Sequence, residues 1–248
     1  MSSWIERSVT RGILTSRYPR ETATDEELPV TARAPRPVPG APPSAAAVSS
    51  CPVAAISEKE VDQGKCIRCA RCLPNGLSFT GPAEAATRSR AELREGAATP
   101  PGTVGLGAPL RELGRSLHVF LIDVGSCNAC NLEVLALANP FYDSQRLGIF
   151  FTNSPRHADV LLVVGVPTAE MVEPLRRAYE ALPAPKAVVA VGACPISGGA
   201  FAGTPGLAPV LAELLPVDVF VPGCPPTPVN LLDGLLMLSG RDRRSRGA

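Results

Sequence analysis

Five short runs, LHVFLID, LGIFFT, DVLLVVGV, KAVVAVG and VDVFVPG, follow one another after Arg115, each apolar at nearly every position and rich in β-branched residues. A strand that is apolar on both faces must be covered on both faces, which is the condition of a parallel sheet with helices on either side. Helical stretches near 168–182 and 226–239 lie between or after the runs. Residues 113–240 therefore read as a doubly wound α/β domain with a parallel sheet.

Cysteine follows three of the five runs. Cys127 and Cys130 stand in GSCNACNLE after the first, Cys194 in VGACPISGG after the fourth, and Cys224 in PGCPPTP after the fifth. Ligands of open α/β sheets bind outside the carboxyl ends of the strands, so loops far apart in sequence can bring four thiols to one place. Gly125, Gly192, Gly198, Gly199 and Gly223 flank them and let backbone amides approach a common centre. Four thiolates suit zinc or an iron–sulfur cluster, and spacing alone does not choose.

The other four cysteines come earlier. Cys66-Ile-Arg-Cys69-Ala-Arg-Cys72 has the C-x2-C-x2-C spacing of bacterial-type ferredoxins, and CPVAAI from Cys51 resembles the segment that closes such a run. In two-cluster ferredoxins the fourth cysteine of each run ligates the other run's cluster. Ala41, Ser44 and Ala47 stand where the partners of Cys51's own run would be, and Gly76 stands where the fourth cysteine of the second run would be. The four ligands of one cluster are thus missing together, while Cys51, Cys66, Cys69 and Cys72 remain together. Residues 51–80, poor in large apolar side chains, read as a degenerate ferredoxin-like module in which one [4Fe–4S] cluster stands in for a core. Structural zinc is the alternative.

Composition removes other classes. The 24 basic and 23 acidic residues of the 248 leave a net charge of +1, so no global field draws the chain onto nucleic acid. The opening Met1 to Arg20 is polar and arginine-punctuated, without the apolar core of a secretory signal, so reduced thiols and metal binding are expected rather than disulfides. No apolar stretch reaches the roughly 20 residues that span a bilayer. Trp4, Ile5, Val9 and Ile13 fall at near-helical spacing and predict a basic amphipathic helix over 1–20, ended by Pro19, which either lies on a membrane or partner or covers the chain's own core. Residues 21–50 read as an extended linker, 81–112 as a second linker marking a domain boundary, and 241–248 as a basic tail.

GSCNACNLE, SPRHADVLLVVG, VAVGACPISGGAF and DVFVPGCPPTPVNLLDGLL occur in that order over about residues 115–240. Together they resemble the small, cluster-bearing subunit of membrane-associated [NiFe] hydrogenases of the formate hydrogenlyase type. That subunit is similar to the complex I subunit carrying the terminal [4Fe–4S] cluster. Complex I proteins have an adjacent Cys-Cys pair where this chain has Cys127-Asn-Ala-Cys130, which favours the hydrogenase branch. The resemblance implies a flavodoxin-like sheet in which Cys127, Cys130, Cys194 and Cys224 ligate a [4Fe–4S] cluster beside a catalytic large subunit. It places a recurrent acid at Glu133, either near a proton route or an ordinary helix N-terminal carboxylate. Arg156 and His157 also lie in a motif of the family, His157 with a structural hydrogen bond expected rather than a redox role. RGILTSRYPR resembles the start of the ferredoxin-like subunit of the same complexes, so the chain reads as a fusion of two neighbouring subunits.

There is no P-loop and no G-x-G-x-x-G after a strand, and the eight cysteines fill the two sets already described, leaving no further Cys-x2-Cys pairs to hold nickel and iron. The expectation is an oxidoreductase subunit without catalysis of its own, relaying electrons through two [4Fe–4S] clusters. The partners implied are a hydrogenase large subunit or its complex I-like homologue, membrane-arm subunits, and a donor such as formate dehydrogenase or ferredoxin. The location implied is cytoplasmic, peripheral on the inner face of the cell membrane. A quinone-reducing or ion-pumping complex I-like assembly is the alternative, and a zinc-stabilised interaction protein the third reading.

Overall fold

A computed structural model describes residues 15–21, 35–37, 42–79, 84–96 and 108–242. Residues 1–14 of the expected amphipathic helix, much of both expected linkers and all but the first two residues of the basic tail lie outside the described residues.

The N-terminal module consists of β1 (Pro35–Pro37), α1 (Ala45–Ser50), β2 (Glu60–Asp62), β3 (Leu77–Phe79) and β4 (Arg94–Gly96). β1 pairs antiparallel with β3, and β2 with β4. Among the described residues, the buried cluster of this module is Ala47, Ile56, Val61, Cys72 and Leu77, with Val48 and Cys51 packed against it. So little apolar burial is of the order that small domains supplement with metal.

Two expectations are corrected here. Residues 45–50, expected to be extended, form α1, because Ser44 caps it by accepting from the Ala47 amide at 3.1 Å and an alanine-rich turn has high helix propensity. The expected linker over 81–112 is built into the fold over 84–96. Thr87 and Phe220 exchange backbone hydrogen bonds of 2.9 and 2.7 Å, β4 pairs with β2, and Ala86 and Leu93 are fully buried. That strap lies along the outer edge of the main sheet, where an unpaired strand would otherwise stand open.

The α/β domain runs through β5 (Leu117–Asp123), α2 (Ala129–Ala136), β6 (Ile149–Phe151), β7 (Val160–Val164), α3 (Val172–Ala181), β8 (Ala187–Val191), α4 (Ala193–Ser197), α5 (Leu211–Leu214), β9 (Val219–Val221) and α6 (Pro228–Leu238). The order β6-β5-β7-β8-β9 is wholly parallel, the flavodoxin-like order in which the chain reverses direction across the sheet at β5. Every residue of β7 and β8 is buried, with Val160, Leu162 and Val164 entering one core and Leu161 and Val163 the other. That alternation is the pleat of a strand covered on both faces. α6 is buried at all eleven residues.

Residues 15–20 are not helical. They form a strap and turn in which Ser16 donates to the Phe141 carbonyl at 2.8 Å and Tyr18 is buried in the main core. The described end of that segment therefore covers the chain's own core. Among the described residues no helix is long and apolar enough to cross a membrane.

Candidate metal centres

The carboxyl ends of β5 and β7 flank the point where strand order reverses. A Cβ on Gly165 would stand 2.6 Å from the Gly125 carbonyl carbon, so the two chain segments approach as only glycine permits. Asp123, at the end of β5, fixes the next loop: its carboxylate accepts from the amides of Gly125 and Ser126, the Ser126 hydroxyl and the Asn131 side chain at 2.6 to 3.0 Å. Burial pushes its carboxyl upward, but those donors outweigh it and hold the group below the ordinary carboxylate value. Asn128 enters α2 in the left-handed conformation, φ 70°, with Cys127 before it and Cys130 in the first helical turn.

The other two loops are tied to each other. Gly192 donates to the Val221 carbonyl and Ala193 to the Gly223 carbonyl, each at 2.8 Å, locking the Cys194 loop to the Cys224 loop. A Cβ on Gly192 would meet the Cys130 Sγ at 2.9 Å, and one on Gly199 the Cys194 Sγ at 3.4 Å. The structure thus gathers Cys127, Cys130, Cys194 and Cys224. Burial pushes the Cys130 thiol up to about 12, with Cys194, Cys224, Cys127 and Glu133 adding repulsion. Cys194 is pushed to about 11 by burial and then by Cys224 and Cys127, and Cys224 is raised by burial and Cys127.

Cys51, Cys66, Cys69 and Cys72 line one cavity with Ile56 and Val61. Left-handed backbone at Ala54, Arg68 and Ala70 wraps the chain round it. Two sulfurs already accept amides: Cys51 from Ala55 at 3.2 Å and Cys66 from Arg68 at 3.4 Å. Burial raises the Cys66 thiol to about 11, with Cys72 and Cys51 contributing, and raises Cys72 with Cys69 and Cys51 contributing.

The chemistry of both donor sets fits a cationic cluster. Burial and neighbouring sulfurs disfavour the thiolates of Cys66 and Cys72 in one set and of Cys130, Cys194 and Cys224 in the other, and a centre of opposite charge is what lets them ionise there. Amides aimed at sulfur and glycines that open the backbone are the surroundings such clusters use. Among the described residues, no three Cys, His, Asp or Glu side chains stand as ligands of one metal ion.

Other residues singled out in the sequence fare differently. Glu133 is half-buried on the second turn of α2 rather than at its N-terminal end, and burial raises its carboxyl. The simple helix-end reading of Glu133 is therefore corrected. His157 is exposed and its imidazole has no hydrogen bond among the described residues, so the structural bond expected for it is not formed; only its amide donates, to Ser154. Arg156 is exposed on the same turn. Three residues that sequence reading passed over matter more. Asp123 organises the first cysteine loop. Asn230, fully buried, donates to the Pro222 carbonyl at 2.8 Å and accepts from the Ala85 amide at 3.0 Å, clamping the Cys224 loop and the strap together. Arg68 is the third. Asparagine in the otherwise apolar PVNLLDGLL was the available signal for Asn230.

The α/β domain is similar to known proteins. The family described as NADH ubiquinone oxidoreductase, 20 kDa subunit, matches residues 127–238, a span holding Cys127, Cys130, Cys194 and Cys224. A probable membrane-bound hydrogenase subunit of Pyrococcus furiosus is 46% identical over 125 residues, covering 50% of this chain and 75% of the relative. Subunit 7 of formate hydrogenlyase from Escherichia coli is 42% identical over 131 residues, 53% of this chain and 51% of the relative. An NADH-quinone oxidoreductase subunit of Geotalea daltonii is 43% identical over 122 residues, 48% of this chain and 71% of the relative. With three cysteine-bearing loops on one sheet edge and three-quarters of a relative matched at this identity, the chain belongs to the 20 kDa subunit family of NADH ubiquinone oxidoreductase, whose members bind a [4Fe–4S] cluster, and is a subunit of an oxidoreductase complex.

Proposed function

We infer that this chain is the electron-transfer subunit of a membrane-associated [NiFe] hydrogenase complex of the formate hydrogenlyase type, with two [4Fe–4S] clusters. Cys51, Cys66, Cys69 and Cys72 hold the donor-side cluster, and Cys127, Cys130, Cys194 and Cys224 the one beside the large subunit. The observation that carries this reading is the sorting of all eight cysteines into two gathered sets of four. The N-terminal module is the ferredoxin-like half of a fusion, and the complex sits on the inner face of the cell membrane.

Bound there, a [4Fe–4S] cluster supplies one-electron transfer with little bond rearrangement. The chain's own residues hold and orient. Ala55 and Arg68 amides donate to thiolate sulfur and stabilise its negative charge. Asp123 keeps Cys127 and Cys130 at the sheet edge through the loop it organises, and the Gly192 and Ala193 amides keep Cys194 beside Cys224. The apolar walls of Ile56 and Val61 exclude water from the first set.

Anaerobically purified chain should hold about eight iron and eight acid-labile sulfide, four of each per cluster. About four iron with one zinc would refute the assignment of the N-terminal set. Cys69→Ala should stop electron flow from the physiological donor while dyes that reach the α/β cluster still support hydrogen turnover, in complexes shown by mass to keep the large subunit. Equal loss in both assays would refute the serial order. The quinone-reducing alternative is favoured by the near-equal identity to an NADH-quinone oxidoreductase subunit, and nickel in the purified complex decides against it.

A further inference from the structure

Arg68 lies between two of the cysteines of the N-terminal run yet reaches out of its own module. Its backbone is left-handed, φ 54°, with its amide on the Cys66 Sγ, and its side chain reaches the α/β domain. There its Nη2 faces the Pro222 carbonyl at 3.5 Å, two residues before Cys224. The guanidinium is half-buried, and its charge acts on the sulfurs of Cys66 and Cys224, one from each set. The junction around it is packed. Ser197, at the end of the helix that carries Cys194, donates to the Gly64 carbonyl at 2.9 Å, and a Cβ on Gly64 would meet Ile196 at 2.8 Å. Both cysteine sets therefore border one interface, with a permanent cation set into it.

We propose that Arg68 is a positioning residue between the two clusters, whose guanidinium holds the N-terminal run against the Cys224 loop and raises the reduction potential of both centres together. The proposal rests on the two-cluster reading above. Reduction adds negative charge to a centre that its four thiolates have already made anionic. A cation beside it favours the reduced form, and at a half-buried junction that attraction is less screened than at an exposed site. Because one charge serves both centres, its removal lowers both potentials in the same direction, and the driving force between them changes less than either one. Arg71, in the same run, is exposed to water, so the same loss of charge there is screened.

The test is a dithionite titration of the full-length, cluster-loaded chain followed by electron paramagnetic resonance, with iron counted in every sample. Arg68→Gln should keep about eight iron. Both potentials should fall, each by about tenfold in the reduction constant, about 59 mV for a one-electron couple. Arg68→Lys should restore most of that shift, and Arg71→Gln should move neither centre appreciably. Unchanged potentials in Arg68→Gln, a shift of one centre only, or an equal shift in Arg71→Gln would overturn the proposal. If Arg68→Gln loses a cluster, Arg68→Lys decides: potentials near those of the unsubstituted chain support the bridging charge, and potentials lowered as far as full charge removal overturn it. An unsubstituted chain with only about four iron would overturn the two-cluster reading itself, and that is seen before any substitution is made.

Discussion

Gly192 stands against Cys130 so closely that a Cβ on the glycine would lie 2.9 Å from the sulfur, although the two residues belong to different strand–helix connections. Gly192 also has φ 88° and ψ 170°, a conformation that side chains with a Cβ scarcely adopt. Gly192→Ala should therefore cost about 1–3 kcal/mol in backbone strain and displace one sulfur of the α/β set. The expected result is a chain whose iron falls from about eight toward about four, with the N-terminal signal intact. Full iron content in this variant would contradict the closeness of that contact.

Leu93 is 1% exposed and packs from the strap into the same core as Ile196 and Phe220. Leu93→Ala should destabilise the folded chain by about 2–5 kcal/mol. Because the strap pairs with β2 on one side and with Phe220 on the other, unfolding in urea should remain one transition, seen at the same midpoint by circular dichroism and by cluster absorbance. Two separated transitions would show that the modules unfold independently.

Asn230 satisfies two backbone groups that would otherwise be buried and unpaired. Asn230→Ala should cost about 1–3 kcal/mol for each group left without a partner. The direct readout is hydrogen exchange at the Ala85 amide, which should accelerate beyond the global change. Unaltered protection of that amide would rule out the clamp.

The thiols give the cluster-free chain a pH dependence of known sign. Cys130 is pushed to about 12 and Cys194 to about 11 by burial and by their neighbours. The unfolded chain releases those protons near the ordinary cysteine value of about 8.5. Between the two values the folded state binds more protons, so stability is complete below about pH 8.5 and falls as pH rises toward the folded values. The urea midpoint of cluster-free protein should drop across that window. Cluster-loaded protein, whose ligating sulfurs carry no proton, should show no matching drop. Equal pH dependence in the two forms would contradict the ligand assignment.

The sheet and the loops that bear the second cysteine set are legible in the sequence because their signals are local. DVLLVVGV and KAVVAVG are apolar at consecutive positions, which permits only burial on both faces, and a glycine–cysteine pair at a strand's end marks the sheet edge where ligands collect. The C-x2-C-x2-C run is equally local. Tertiary structure alone decided that the segment around Ala86 and Leu93 is a strap rather than a linker, because its two buried side chains have no periodicity of their own and find partners more than a hundred residues away. It also decided the role of Arg68. An arginine between cysteines looks like an ordinary solvated cation in the sequence, and only the docking of Gly64 on Ile196 and Ser197 brings the Cys224 loop to it. Sequence determines which groups must leave water; which charge then stands between which sulfurs depends on contacts across the fold, where no local pattern reaches.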